Sequence, residues 1–381
     1  MSTSLSATHR SEAAESIRRT PRFYRPELDA LRFFAFVSVF ICHGPSIGPM
    51  LNGATWQRLI AENLPILIHA GSFGLCLFFL LSAYLITELL IKERERTGTI
   101  HLKAFYVRRI LRIWPLYYLG VAIGVVCSIY SPALYGLSWL HLSSLLFFFG
   151  WFPGPSLRSP IALLWSISIE ELFYLIWPSV AKAGGVRLIV LTSLLIVPLS
   201  FTATFFSSDP WRNPVIQFLF FALGGLLAVG LRDRPLSIPA ALRIVLFLAA
   251  LPLAFVAASY IGGFRGPLTG IRSCLTFVLA ALSCLLVFFS FLGLPEKYLP
   301  KPVLYLGRIS YGLYVFHYCF ILLAEHLIRM LPWRNTAFNM LGVYVFALTG
   351  TIAAAALSYR YFETPFLKWK DRFTFVLSRP T

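Results

Sequence analysis

Two histidines, two adjacent glutamates and several arginines of this chain fall within or at the edge of long apolar stretches, where an ionisable side chain is costly. In RPELDALRFFAFVSVFICHG, Arg32 and His43 are separated by ten residues. On an α-helix an eleven-residue step returns to within about 20° of the same face, roughly 16 Å further along the axis. A neutral imidazole at His43 suits general-base chemistry, since an unperturbed histidine titrates near about 6.5. The plainer alternative is an arginine that snorkels to the surface as an anchor and a histidine satisfied inside a bundle.

In FYVRRILRIWPLYYL, Arg109 and Arg112 are three residues apart and project from one side of a helix, with Arg108 beside them. Two guanidinium forks so arranged suit phosphate oxygens, and they equally suit the anionic lipid of a membrane surface. The segment LLWSISIEELFYLIWP carries Glu170 and Glu171 with no basic residue nearby in sequence. Adjacent helical side chains diverge by about 100°, so the two carboxylates are expected to face different surroundings. Glu170 shares a stripe with Ser166, Phe173 and Trp177, where a carboxylate must be protonated, paired or functional. In LYLGRISYGLYVFHY, Ser310, Tyr314 and His317 also follow one stripe, with His317 at a depth comparable to that of His43. Gly307 and Gly312 there permit close helix approach. Together these residues describe a polar interior with a basic mouth.

The elements that must position them are membrane helices. Of 381 residues, 58% are hydrophobic and only 13% charged, too little polar surface to coat an ordinary globular domain. Continuously apolar runs of about 20 residues, the length that crosses roughly 30 Å of hydrocarbon, predict an all-α polytopic membrane helix bundle. About ten transmembrane helices are expected, near 28–47, 66–91, 112–131, 160–181, 186–206, 213–231, 240–261, 271–292, 303–328 and 340–361. An eleventh apolar run, Ser138 to Phe152, has only 15 residues. Ten crossings with both termini inside place most basic loops on the cytoplasmic side and leave Arg158, Arg212 and Arg265 outside; counting the short run as a crossing would reverse this. It is therefore expected to be re-entrant or interfacial.

A cytoplasmic tail over 1–25, a membrane domain over 26–366 and a second cytoplasmic tail over 367–381 complete the expected organisation. The formal charge of +17 fits orientation in a membrane, and no module that reads nucleic acid accompanies it. All six cysteines lie in apolar segments with neither metal-ligand nor disulfide-framework spacing, and are expected to be small core residues.

The ordered blocks ELDALRFFAF with His43, FGLCLFFLLSAYLI, FYVRRILRIWPLYYL, WSISIEELFYLIWP, LGRISYGLYVFHY and the closing SYRYFETPF resemble the membrane acyltransferase-3 family of bacterial integral-membrane O-acyltransferases. The resemblance covers nearly the whole chain after the N-terminal tail. It implies transfer of an acyl group, acetyl foremost, from cytosolic acetyl-CoA or another acyl-CoA to a hydroxyl of an extracytoplasmic carbohydrate such as a surface polysaccharide. It further implies a bacterial inner membrane, with polysaccharide-biosynthesis proteins as candidate partners. Carried over position by position, His43 and Arg32 match the family's essential pair, Arg109 and Arg112 its cytoplasmic arginines, Glu170 its first glutamate and His317 the histidine of the tenth span. Arg32, Arg109 and Arg112 are thus the expected donor-binding residues. His43 is the expected general base, assisted by His317 and by Glu170, which is expected to orient or charge-balance it. Ala83 stands where a glycine is usual and Leu172 where a glutamine is usual. Some members continue into a soluble esterase-like domain; the sequence ends soon after Phe366, and if a second catalytic module is needed it is expected on another polypeptide. The rival class is a transporter or flippase of a lipid-linked saccharide, which also needs a basic mouth and buried ionisable groups, although the sequence shows no internal repeat.

Overall fold

The computed structural model describes residues 24–44, 55–130, 137–151, 159–232, 236–261, 268–330 and 336–376, and Arg158, Arg265, Phe152 and nearly all of the expected N-terminal tail lie outside them. Its helices are α1 (Pro26–His43), α2 (Thr55–Ala70), α3 (Phe73–Thr97), α4 (Leu102–Tyr130) and α5 (Trp139–Leu146). They continue with α6 (Trp165–Ala203), α7 (Pro214–Gly230), α8 (Ala240–Ile261), α9 (Gly270–Phe291), α10 (Lys301–Arg308), α11 (Ser310–Arg329), α12 (Thr336–Leu357) and α13 (Thr364–Lys370), the last joined to α12 by a π-helical stretch, Ser358–Glu363. Among the described residues there is no strand, and seven helical stretches are long and apolar enough to cross a membrane. The chain is an all-α membrane bundle.

Helix α6 accounts for two expected crossings. Its 39 residues break at Gly185, whose φ of 57° and ψ of −145° belong to a region open essentially to glycine alone. The carbonyls freed at this bend accept from Arg94 on α3, at 3.0 Å for Ala181 and 3.4 Å for Lys182. Helix α2 has no counterpart among the expected spans, which begin the second crossing at 66. Its sequence, TWQRLIAENLPILIHA, mixes polar residues and Pro65 with apolar ones and packs against α8 and α1.

The short helix α5 is re-entrant. The amide of Leu137 donates to Ser128 near the end of α4, while the carbonyls of Leu145 and Leu146 accept from Tyr117 and Tyr118 about three turns deeper. The chain then climbs back, and Ile161 packs where a Cβ on Gly124 would sit. Both limbs thus lie on one side of the bundle, and Ser138 caps the helix by accepting from the amide of His141.

Without water between helices, close packing must hold them together, and small residues permit it. Gly307 of α10 abuts the backbone of Asp29, and a Cβ on Gly224 of α7 would collide with Leu80 O and with Ala83 on α3. The small residue expected at position 83 is therefore supplied from the facing helix. The cysteines are free and buried or half-buried. Residues 367–376, grouped above with a tail, are ordered: α13 packs on α4, and Val376 is buried.

Candidate active site

Helices α1, α3, α4, α6 and α11 surround a cavity that holds about 1630 Å³ of atom-free space, its open mouth included. Six cationic side chains line it, Arg25, Arg32, Arg108, Arg109, Arg112 and Lys370, against the carboxylates Glu93 and Glu170. Some of these cations are neutralised within the protein. Arg25 meets Glu88 at 2.9 Å, Arg108 meets the buried Glu93 at 2.8 Å, and Arg32 lies 3.4 Å from Asp29. Arg109 and Arg112 make no ion pair among the described residues. The Arg109 guanidinium stands over the rings of Tyr174 and Phe105, at 5.2 and 5.4 Å, and its buried Nε has no hydrogen-bond partner. Arg112 faces Glu363 only at electrostatic range, and that carboxylate already accepts from Ser358. The two arginines three residues apart on α4 therefore present unspent donors to the cavity, as phosphate oxygens require.

Further in, Glu170 accepts hydrogen bonds from Ser82 and Tyr174 and lies in the field of Arg109. Neither histidine is among its hydrogen-bonding partners, and its carboxylate lies on the cavity wall. Glu171, one step around the helix, turns away to accept from Trp114 Nε1 at 3.2 Å, as the 100° divergence requires. Ser166, Tyr314 and Phe78 also line the cavity. Tyr314 and Ser166 hydroxyls are 2.6 Å apart, and the Phe78 and Tyr314 rings meet edge to face.

Beyond Tyr314 lie the two histidines, which are not part of the cavity wall. His317 is fully buried, with Nδ1 2.6 Å from Tyr314 O and Nε2 3.3 Å from His43 Nδ1. His43 Nδ1 is also 2.9 Å from Val39 O. This network assigns the tautomers. A carbonyl can only accept, so His317 carries its proton on Nδ1 and offers the Nε2 lone pair to His43. His43 must then hold its own proton on Nδ1, shared between Val39 O and His317 Nε2. Its Nε2 is left unprotonated, which is the state of a general base. Phe36 and Phe40 pack against the His317 ring, at centroid distances of 6.0 and 6.5 Å.

A family profile described as an acyltransferase domain matches residues 25–360. The chain belongs to this acyltransferase family. It is 27% identical to the peptidoglycan O-acetyltransferase OatA of Listeria monocytogenes, over 92% of this chain and 58% of that protein. It is 28% identical to the O-acetyltransferase OatA of Staphylococcus aureus, with the same two coverages. The chain thus spans less than two thirds of the length of these relatives. No solved structure matches it.

On this family's frame the sequence had pointed to separate stripes, and the fold joins some of them. Arg32, Arg109, Arg112 and Glu170 share one cavity, while His43 and His317 share a hydrogen bond on its far side. Ser82 and Tyr174, which hold Glu170, carried no signal of their own, being a hydroxyl and a phenol on otherwise apolar helices. Tyr314 was visible only as a member of a stripe; its place between cavity and histidines depends on the packing of α11 against α1.

Proposed function

We propose that this protein transfers an acyl group, acetyl in the first instance, from cytosolic acyl-CoA to a hydroxyl of an extracytoplasmic carbohydrate. One arrangement carries the proposal: a cavity lined by two arginines that make no ion pair among the described residues runs inward to Tyr314, whose carbonyl holds His317, which in turn holds His43. The relatives' names supply the acceptor class, a cell-wall saccharide. A saccharide flippase would leave both the family membership and the tautomer-fixed histidine without a purpose.

In this reading the cavity mouth and both termini face the cytoplasm of a bacterial inner membrane. Arg109 and Arg112, with Arg32, bind the donor phosphates, and the pantetheine arm extends past Glu170 towards Tyr314. His43 Nε2 takes the proton of the acceptor hydroxyl as its oxygen forms a bond to the thioester carbonyl carbon. The resulting tetrahedral centre collapses with cleavage of the carbon–sulfur bond, and His43 returns the proton to the departing thiolate. His317 holds the base in the correct tautomer throughout. Glu170, fixed by Ser82 and Tyr174, keeps Arg109 turned to the cavity.

The decisive experiment compares surface polysaccharide from deletion and wild-type strains by mass and composition. Loss of ester-linked acyl groups, restored by the wild-type gene and not by His43→Gln, is the expected result. Unchanged acylation in the deletion strain would refute the proposed activity.

A further inference from the structure

Of the three cavity cations that the donor reading does not use, Arg25 and Arg108 are paired with Glu88 and Glu93, which leaves Lys370 without a role. Lys370 ends α13, which packs on α4, so its ammonium reaches the cavity within electrostatic range of Arg112 and Arg109. Its side chain is 16% exposed and its nearest carboxylate is the half-exposed Asp371, at 3.4 Å. Like charges gathered in a confined space repel unless an anion joins them. The chain invests further structure in holding this lysine in place. The carbonyl of Phe373 accepts from Arg108 at 2.6 Å, the Phe375 ring stacks on His101 with centroids 4.3 Å apart, and Thr374 and Val376 complete the cavity wall. Arg108 and His101 are themselves both held by Glu93. The segment after α13 is thereby strapped to the cavity wall.

We propose that Lys370 is a further phosphate ligand of the acyl-CoA donor, and that the segment from Asp371 to Val376 is a wall of the donor site. The inference rests on the donor reading above. Coenzyme A brings a diphosphate and a 3′-phosphate, in total roughly four negative charges. Arg109, Arg112 and the Asp29-paired Arg32 do not neutralise that number, and Lys370 supplies, after Arg109 and Arg112, a third cation free of a close, buried partner.

The test is titration of the purified full chain, in detergent, with acetyl-CoA and with 3′,5′-ADP, which carries phosphates and no acyl arm. Lys370→Ala is expected to weaken both ligands by the same factor, about tenfold, the lower end for a charged hydrogen bond because the lysine is partly exposed. Lys370→Arg is expected to bind as the wild type does. If Arg109→Ala loses affinity while Lys370→Ala keeps it, the lysine is not a ligand and the donor reading stands. If Lys370→Arg is as weak as Lys370→Ala, the side chain acts through shape and the proposal is overturned. If the wild-type protein binds neither compound, the donor reading falls and this inference with it.

Discussion

His43 and His317 touch, yet the structure assigns them unequal weight, and the inequality can be measured. His43→Gln keeps a side chain of similar reach but removes Nε2 of His43, the proposed base. A general base contributes a factor of about 100 to 10,000, so turnover should fall by at least the lower figure. His317→Gln removes one of two acceptors for the His43 Nδ1 proton, and it is the longer contact, 3.3 Å against 2.9 Å to Val39 O. The remaining backbone bond still fixes the tautomer. One neutral hydrogen bond contributes about 0.5–1.5 kcal/mol, which converts to a loss of roughly two- to twelvefold in turnover. The assay is transfer of radiolabelled acetyl from acetyl-CoA by membranes containing equal amounts of each variant, with size-exclusion profiles as the folding control. If His317→Gln is inactive while His43→Gln turns over normally, the base belongs to α11 and the tautomer argument is wrong.

Arg109→Ala and Arg112→Ala should each weaken acetyl-CoA binding by about 1.5–3 kcal/mol by calorimetry in detergent, with the thermal midpoint little changed, since neither forms an ion pair among the described residues; undiminished affinity would remove the phosphate clamp. Gly185→Ala forces a Cβ into a backbone region closed to it and against the Arg94 guanidinium, so it should destabilise the protein by about 1–3 kcal/mol in thermal unfolding followed by tryptophan fluorescence, and an unshifted midpoint would contradict the bend described for α6. A C-terminal reporter that fluoresces only in the cytoplasm should be active, because the strap at 371–376 lines a cavity whose mouth is proposed to face the cytosol; activity of a periplasm-specific reporter instead would invert the orientation.

Much of this architecture is legible in the sequence because the bilayer simplifies the code. Continuous apolar runs announce crossings, and any charge within them stands out. His43, Glu170 and His317 are visible for that reason alone, as are the divergent directions of Glu170 and Glu171. What stays hidden is pairing at long range. Nothing near His43 in the sequence announces His317, 274 positions away, and nothing near Glu170 announces Ser82 on another helix. Helix α2 escapes a hydropathy reading because Arg58, Glu62 and Pro65 interrupt its apolar face. The C-terminal strap escapes it because six residues mixing charge with Phe373, Phe375 and Val376 are too short to read as a crossing, and only the acceptor bond of Phe373 and the stacked Phe375 reveal that it is tied down.

In the proposed orientation, the contacts of Tyr314 with Ser166 and Phe78 also bear on a cell's energy supply. An inner membrane stores free energy as a proton gradient, and each elementary charge that slips across dissipates roughly 2.3 kcal/mol per 100 mV. A continuous wet passage from a cytosolic cavity to an outward-facing histidine would short-circuit that store, with the histidine itself serving as a stepping stone. With the cavity facing the cytosol as proposed, an aromatic ring and a hydroxyl pair at this point would insulate the two compartments with a few side chains. On the proposed donor, the cargo that would pass is small and uncharged, a thioester-linked acyl group on a slender arm, while every phosphate would stay behind at the arginines. A protein built this way can hand a metabolite outward without lending protons a way in.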